Sequence, residues 1–315
     1  MPRIARGALA HLYAVALVPV AAAASAAVLA LAFTAAATAV SAQTTAPGPV
    51  LRARSLEPTA SVKVFDPAGS VRIVGWDHDS IVVRGHVPPS GRFFFGGSAR
   101  GVKLGVEDRV DGKDSAPCDL VIYLPRHSQL SVKTASASIT GSDVSGWFYS
   151  VSGTIHLSGA ATSIEAETMG GDLTLDVSTP WVRARTGDGR LLLRGTPQDA
   201  DLSTIAGTLD IASSSPLRGR FSSVTGDIHY TGAPAVGGIL EFSNHSGAVD
   251  LLLPRQSGGV LDLSTVIGEI RNGYTALRPV ADARGRGRSL HLELERDGGH
   301  IIVRTFRGTI RLRAQ

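Results

Sequence analysis

From residue 137 onward, glycines recur at nearly constant spacing, and a chain that repeats every 20 residues or so can fold in very few ways. The series runs Gly153, Gly171, Gly189, Gly207, Gly226, Gly247, Gly268 and Gly308, with Ala137 at its head. Successive gaps are 16, 18, 18, 18, 19, 21 and 21 residues, then 40, which is twice the period and leaves room for one degenerate copy. Three residues before each of these positions stands a short side chain able to hydrogen-bond: Thr134, Ser150, Thr168, Thr186, Thr204, Ser223, Asn244, Thr265 and Thr305. Two and four residues after come apolar pairs such as Ile155 with Leu157, Leu173 with Leu175 and Leu191 with Leu193. Between them sits a mostly polar position, for example His156, Thr174, Asp210, His229 and Asp250. A further apolar column lies five residues before the glycine, through Val132, Phe148, Ala166, Ala184, Leu202 and Phe221.

A period of two within each copy means strands that bury one face. The same columns in every copy mean that copies are stacked in parallel and in register, because only then does one face point inward throughout. Eighteen to 21 residues at about 3.3 Å each give a contour near ~60 Å, one turn of a flattened coil with two or three strands. The reading is an all-β parallel β-helix of stacked coils. A propeller blade needs about twice this period, and antiparallel hairpins would not keep one column order. The glycine supplies a corner, through positive φ or close approach of the next coil. The hydroxyl supplies a hydrogen bond to its own turn or the next one. Ala137 then marks a looser first coil.

Composition agrees: 36 glycines, 5% aromatic and 18% charged residues suit strands and tight turns better than exposed helices. Residues 1–42 carry Arg3 and Arg6, then an alanine-rich apolar run ending in Val40, Ser41 and Ala42, the pattern of a secretory signal. The run is also long enough for an uncleaved anchor, and either way the remainder is exported to the periplasm, cell surface or medium. The formal charge of +4 falls to +2 without Arg3 and Arg6, too little to argue for nucleic acid. Cys118 is the only cysteine, which excludes an internal disulfide and points to a buried free thiol. Residues 43–58, with Pro47, Gly48 and Pro49, read as a flexible linker. Residues 59–131 read as N-terminal cap strands with an insertion, and 132–315 as repeats with a C-terminal cap.

A longer duplication joins "LVIYLPRHSQLSVKTASASI" (120–139) to "VDLLLPRQSGGVLDLSTVIGEI" (249–270). A strand ending in Pro125, a polar link and then S/T-x-x-G-x-I/L-x-L units resemble the bacterial secreted "putative adhesin" family of uncharacterised domains, over about residues 60–312. The resemblance implies a right-handed β-helix at the cell surface or in the periplasm, a role in adhesion, and no established enzymatic activity. It carries over no catalytic or ligand residues. Ala137 and the stretch from Pro88 to Pro117 depart from the family's form.

At the ends, residues 59–87 are expected to be antiparallel cap strands leading into the first coils, although Gly69, Val71 and Ile73 keep the repeat register. "SLHLELE" and "HIIVRTF" around "RDGG" form a hairpin signal with Asp297 and Gly298 at the turn, after which "RGTIRLR" would close the stack.

Candidate sites are few. Phe93, Phe94 and Phe95 in a glycine-rich setting are the candidate contact patch for a partner; the competing reading packs Phe93 and Phe95 on the coil end and leaves only Phe94 outward. His156 and His229 share a column but lie four coils apart, too far to chelate one ion. His78 with Asp77 and Asp79 is the nearest thing to a metal cluster, yet adjacent strand residues cannot all face one ion. Asp172, Asp188, Asp210 and Asp227 recur near the turns without the convergent pair that a glycosidase needs. Arg284, Arg286 and Arg288 form a small basic loop. No catalytic residue, cofactor or metal ligand is expected. The function read from the sequence is a non-enzymatic surface or envelope module for adhesion or scaffolding, its partner left open between a cell-surface glycan and an envelope protein. The alternatives are a carbohydrate-active β-helix enzyme or an envelope-stress accessory that binds a partner protein.

Overall fold

Each repeat contributes one strand to each of two large sheets, and from residue 129 to residue 253 copies that follow one another in sequence lie side by side. The computed structural model describes residues 43–45, 48–108, 116–213, 215–281 and 285–315; the apolar segment 1–42, part of the Pro88 to Pro117 stretch and Arg284 lie outside the described residues. Among the described residues there is no helix. The two sheets, here A and B, hold 15 and 13 strands and are mostly parallel. The copy around Gly189 is representative: Trp181–Thr186 lies in sheet A and Leu191–Gly195 in sheet B. Thr168, Thr186 and Thr204 are direct neighbours across three strands of sheet A. Leu173, Leu191 and Leu209 are direct neighbours in sheet B.

The core lies between the sheets. Val182 and Ala184 from sheet A meet the side of the core lined by Leu191 and Leu193 from sheet B, and all four are fully buried. Phe221, Tyr230 and Phe242 make an aromatic cluster further along, with centroids 5.0 to 6.4 Å apart. Removing this apolar surface from water is the main force holding the rungs together.

The corner column explains the repeat. The Thr168 hydroxyl accepts from Gly171 N–H at 3.1 Å and donates to the Gly153 carbonyl of the preceding rung at 3.4 Å. Thr186 donates to the Gly171 carbonyl at 3.2 Å, and Thr204 to the Gly187 carbonyl at 3.1 Å. Asn244 does the same with an amide, accepting from Gly247 N–H and donating to the Gly226 carbonyl at 2.9 Å. All these side chains are buried, so the ladder satisfies polar groups that have no access to water. The glycines are needed for close approach. A Cβ on Gly171, Gly189, Gly207, Gly226 or Gly247 would collide with the corner carbonyl of the rung before it.

Both ends differ from the sequence reading. Gly48–Ser55 is a strand, not part of a flexible linker; it pairs antiparallel with Ser80–Val87, with Val50 buried. Pro49 is tolerated because this is an edge strand. Ser61–Asp66 and Gly69–Trp76 are not cap strands but a full rung, with parallel neighbours on both sides in both sheets. The stretch from Pro88 to Pro117 is not a plain insertion either: Gly91–Ser98 is an antiparallel cap strand, and Gly101–Asp108 runs parallel beside Ser61–Asp66.

The expected C-terminal hairpin is absent. Arg288–Leu294 and Gly299–Thr305 do not pair with each other, because Gly259–Thr265 lies between them, antiparallel to the first and parallel to the second. The last unit does not close the stack. Gly299–Thr305 and Ile310–Ala314 slot between the rung at 239–253 and the rung at 259–273. The stretch between Gly268 and Gly308 is not a degenerate rung, since it supplies the antiparallel cap strand Arg288–Leu294. The physical reason is that the last unit carries every repeat column, so it gains two parallel neighbours inside the stack. At the end it would leave an edge open. The local Asp-Gly turn signal is outweighed by that pairing.

The Leu-Pro-Arg duplication acquires a meaning here. The chain passes from Cys118–Pro125 to Gln129–Thr134 across the rung at 61–76, and from Val249–Leu253 to Gly259–Thr265 across the rung at 299–314. Each link steps over one rung.

Gly207→Ala is expected to lose about 1–3 kcal/mol in denaturant unfolding, as overpacking does. Gly170→Ala, where a Cβ meets nothing within 4 Å, should stay within about 0.5 kcal/mol of the parent. Equal effects would remove the close-approach account. Deleting residues 299–315 should abolish cooperative thermal unfolding, because it takes out an interior rung; a shortened chain melting like the parent would contradict the order of strands found here.

Candidate functional site

The turn aspartates serve the backbone. Asp172 accepts from Arg190 N–H at 2.8 Å, and Asp227 from Ala248 N–H at 2.7 Å, so each caps the corner of the following rung. Asp210 is paired with Arg190. Asp188 lies in a corner turn of the same series. His229 sits beside Asp250 at 3.3 Å, which also holds Arg311 at 3.1 Å; His156 is exposed on the same face, with three strands between it and His229. Asp77 pairs with Arg126 at 2.9 Å, and His78 packs edge-on against Trp76. Among the described residues no group of three potential ligands could hold a metal ion. Cys118 is buried, its thiol pushed up to about 12 by burial and then by Asp66 and Asp119 nearby. A thiol held neutral in this way is inert. Of the basic loop, Arg288 bonds the carbonyl of Gly287 at 3.0 Å.

The three phenylalanines are not an exposed patch. Phe93 and Phe95 are buried, and Phe94 is only 9% exposed. Strand alternation explains this: Phe93 and Phe95 face Val106 and Leu104 of the neighbouring strand and point inward, while Phe94 stands opposite Gly105 on the outer face. There its ring lies 5.4 Å from the Lys103 ammonium and forms one wall of an open groove.

That groove is the main surface feature of sheet A's outer face at its N-terminal end. Phe94, Lys63, Lys103, Arg92 and Glu107 bound a space of about 640 Å³. A second space of about 350 Å³ adjoins it, reaching Phe65, Lys133 and Trp147. Trp147 and Tyr149 stack at 5.5 Å with an interplanar angle of 12°, and the Lys133 ammonium lies 5.7 Å from the Tyr149 ring. Alternation puts these side chains outward, and parallel register brings them together from strands distant in sequence: Lys63 beside Lys103, and Lys133 between Phe65 and Tyr149. The sequence reading passed over them. The available signal was that the whole chain has only four lysines, three of them at these positions.

At the opposite end of the same face, Asp262 lies between His291 Nδ1 at 2.7 Å and His300 Nε2 at 2.6 Å. The three residues come from three strands joined out of sequence order. The hydrogen bond from His291 holds the Asp262 carboxyl below its ordinary value, and the bond to Asp262 raises His291.

No protein-family profile matches the chain, and no curated protein does. Among solved structures it is similar to a protein of Parabacteroides distasonis described as a "putative lipid binding protein", at 11% identity and a TM-score of 0.50, covering 84% of this chain and 96% of that one. It is also similar to a "putative adhesin" of Bacteroides fragilis, at 10% identity and a TM-score of 0.44, covering 84% and 96%, and to one of Parabacteroides merdae, at 10% and 0.29, covering 84% and 96%. The first of these likenesses is one of fold.

The Asp262 cluster predicts a pH profile. A lowered carboxyl contributes stability above its ordinary pKa of about 4, lost as pH falls; a raised histidine contributes below about 6.5, lost as pH rises past its folded value. The stability gap between the parent and His291→Gln should therefore peak between about pH 4 and 6.5 and shrink by pH 8. Thermal unfolding across that range checks it, and a gap independent of pH would contradict it.

Proposed function

We propose that the chain is an exported, non-enzymatic binding module, adhesin-like in role, built as a right-handed parallel β-helix whose contact surface is the outer face of sheet A. The observation that carries this reading is the N-terminal groove, where Phe65, Phe94 and Trp147 and three lysines line an open surface, with Tyr149 stacked on Trp147. Flat sheet faces with aromatic and cationic side chains suit binding of an extended partner. Catalysis of glycan cleavage needs two acids across a cleft, whereas Asp172 and Asp227 here are engaged with neighbouring backbone and Asp210 with Arg190. The apolar run within residues 1–42 supports export. The adhesin names of several similar folds agree with a role at the cell surface.

The test is retention of the purified chain on isolated bacterial envelope and on immobilised glycans. The parent should be retained, and a Trp147→Ala/Tyr149→Ala variant weakened by about tenfold, which is about 1.4 kcal/mol of binding. Absence of retention on every fraction, or equal retention of the variant, would remove this surface as the site of function.

A further inference from the structure

The distribution of basic residues identifies what the groove receives. Arginine supplies the great majority of the chain's 31 basic residues, and lysine only four. Lys63, Lys103 and Lys133 are gathered on this one face, all exposed, and among the described residues none of them forms an ion pair. Lys63 and Lys103 are direct neighbours on adjacent parallel strands, an arrangement in which like charges repel. Glu107 does not relieve them, because Arg92 holds it at 2.8 Å.

The rest of the same face is built differently. In the column that contains Lys63, the next charged rungs read Glu165, Arg183, Asp201, Arg220 and Glu241, one per strand. Signs alternate, and Arg183 lies 3.9 Å from Glu165 and 3.5 Å from Asp201, while Arg220 lies 3.7 Å from Glu241. In this column the chain neutralises charge in place. At the groove, among the described residues, three lysines stand without an ion-pair partner beside the rings of Phe94 and Trp147.

We propose that this face binds an acidic saccharide chain, its carboxylate or sulfate groups set against Lys63, Lys103 and Lys133 and its sugar rings stacked on Trp147 and Tyr149. The proposal rests on the binding-module reading and names its ligand class. Lysine supplies a mobile point charge that can follow a flexible polyanion, and arginine at the same positions would keep that charge. From the strand of Phe94 to that of Trp147 there are four strand steps, about 19 Å at ~4.8 Å each, room for a short stretch of polymer rather than a single sugar.

The experiment measures binding of polygalacturonate, dextran sulfate, neutral dextran and phosphatidylglycerol vesicles to the full exported chain and to Lys63→Gln/Lys103→Gln. At least one of the two acidic polysaccharides should bind, neutral dextran should not, and the double variant should bind about tenfold more weakly. Binding should fall as salt is raised, since exposed charges are screened. Lys63→Arg/Lys103→Arg should keep most of the affinity. Thermal unfolding of the glutamine variant should be unchanged or raised, because a repulsive pair is removed. Four results overturn the proposal: no binding to either polyanion, equal binding to neutral dextran, affinity untouched in the glutamine variant, or capture by the vesicles alone. Envelope retention separates the two readings. If the parent and the glutamine variant are retained equally, the acidic saccharide falls and the binding module stands; if neither is retained, both fall.

Discussion

The close approach of backbone to backbone at the glycine corner is the constraint on which the rest of the structure depends. With no Cβ in the way, the corner of one rung sits against the carbonyl of the last, as at Gly207 against Gly189. The hydroxyl three residues earlier then reaches across, as Thr186 does to the Gly171 carbonyl. Each such bond is worth only about 1 kcal/mol net, but they act on register rather than on bulk stability. A slip of one residue would break the ladder, turn Leu191 and Leu193 outward and bury the charged column, because strand side chains alternate. The apolar interior supplies the driving force, and the corner decides which of several parallel stackings that force selects.

Stacked parallel sheets leave two open ends. At each end one rung lies between strands that are its non-neighbours in sequence; antiparallel strands lie beyond it in both sheets at the N-terminal end and in sheet A at the C-terminal end, where sheet B finishes on the parallel strand Ile270–Gly273. The result is that the outermost parallel strands are never the first or last segments of the chain alone. The last unit, with Val303, Thr305 and Gly308 in register, is held by partners on both sides. A terminal rung held on one side only would fray and present an edge for another molecule to pair with. Asp262, His291 and His300 meet only because of this insertion, and they tie its three strands together on the outside.

Legibility in the sequence followed the distance over which each signal acts. The interior columns were plain because every repeat restates them, and the register of Gly69, Val71 and Ile73 already carried the first rung. Strand order at the ends was not. The Asp297-Gly298 pair is a sound local turn signal, yet the strands around it found better partners elsewhere, a choice that depends on contacts 61 residues apart along the chain, such as Val249 with Ile310. The Leu-Pro-Arg duplication held the missing information, as two links of one kind that each step over a rung. The groove was unreadable for the same reason: Lys63 and Lys103 are adjacent in space and 40 residues apart in sequence, while the three consecutive phenylalanines drew attention to a strand whose alternation hides two of them.

The fold and the proposed binding surface are linked by spacing. In-register parallel strands place one outward side chain of each column every ~4.8 Å, so the sequence of a column is read directly as a pattern of charge along the face. Rotation of a side chain can blur that pattern but not rearrange it, since the backbone beneath is fixed by the corner ladder. Binding on such a surface costs little ordering of the protein, which leaves more of the contact energy to appear as affinity. The same rigidity means that the surface cannot close over a partner, and depth of burial is given up in return. Affinity then has to come from several modest contacts along an extended partner, as the succession of Phe94, Lys103, Lys63, Lys133 and Tyr149 across five strands provides.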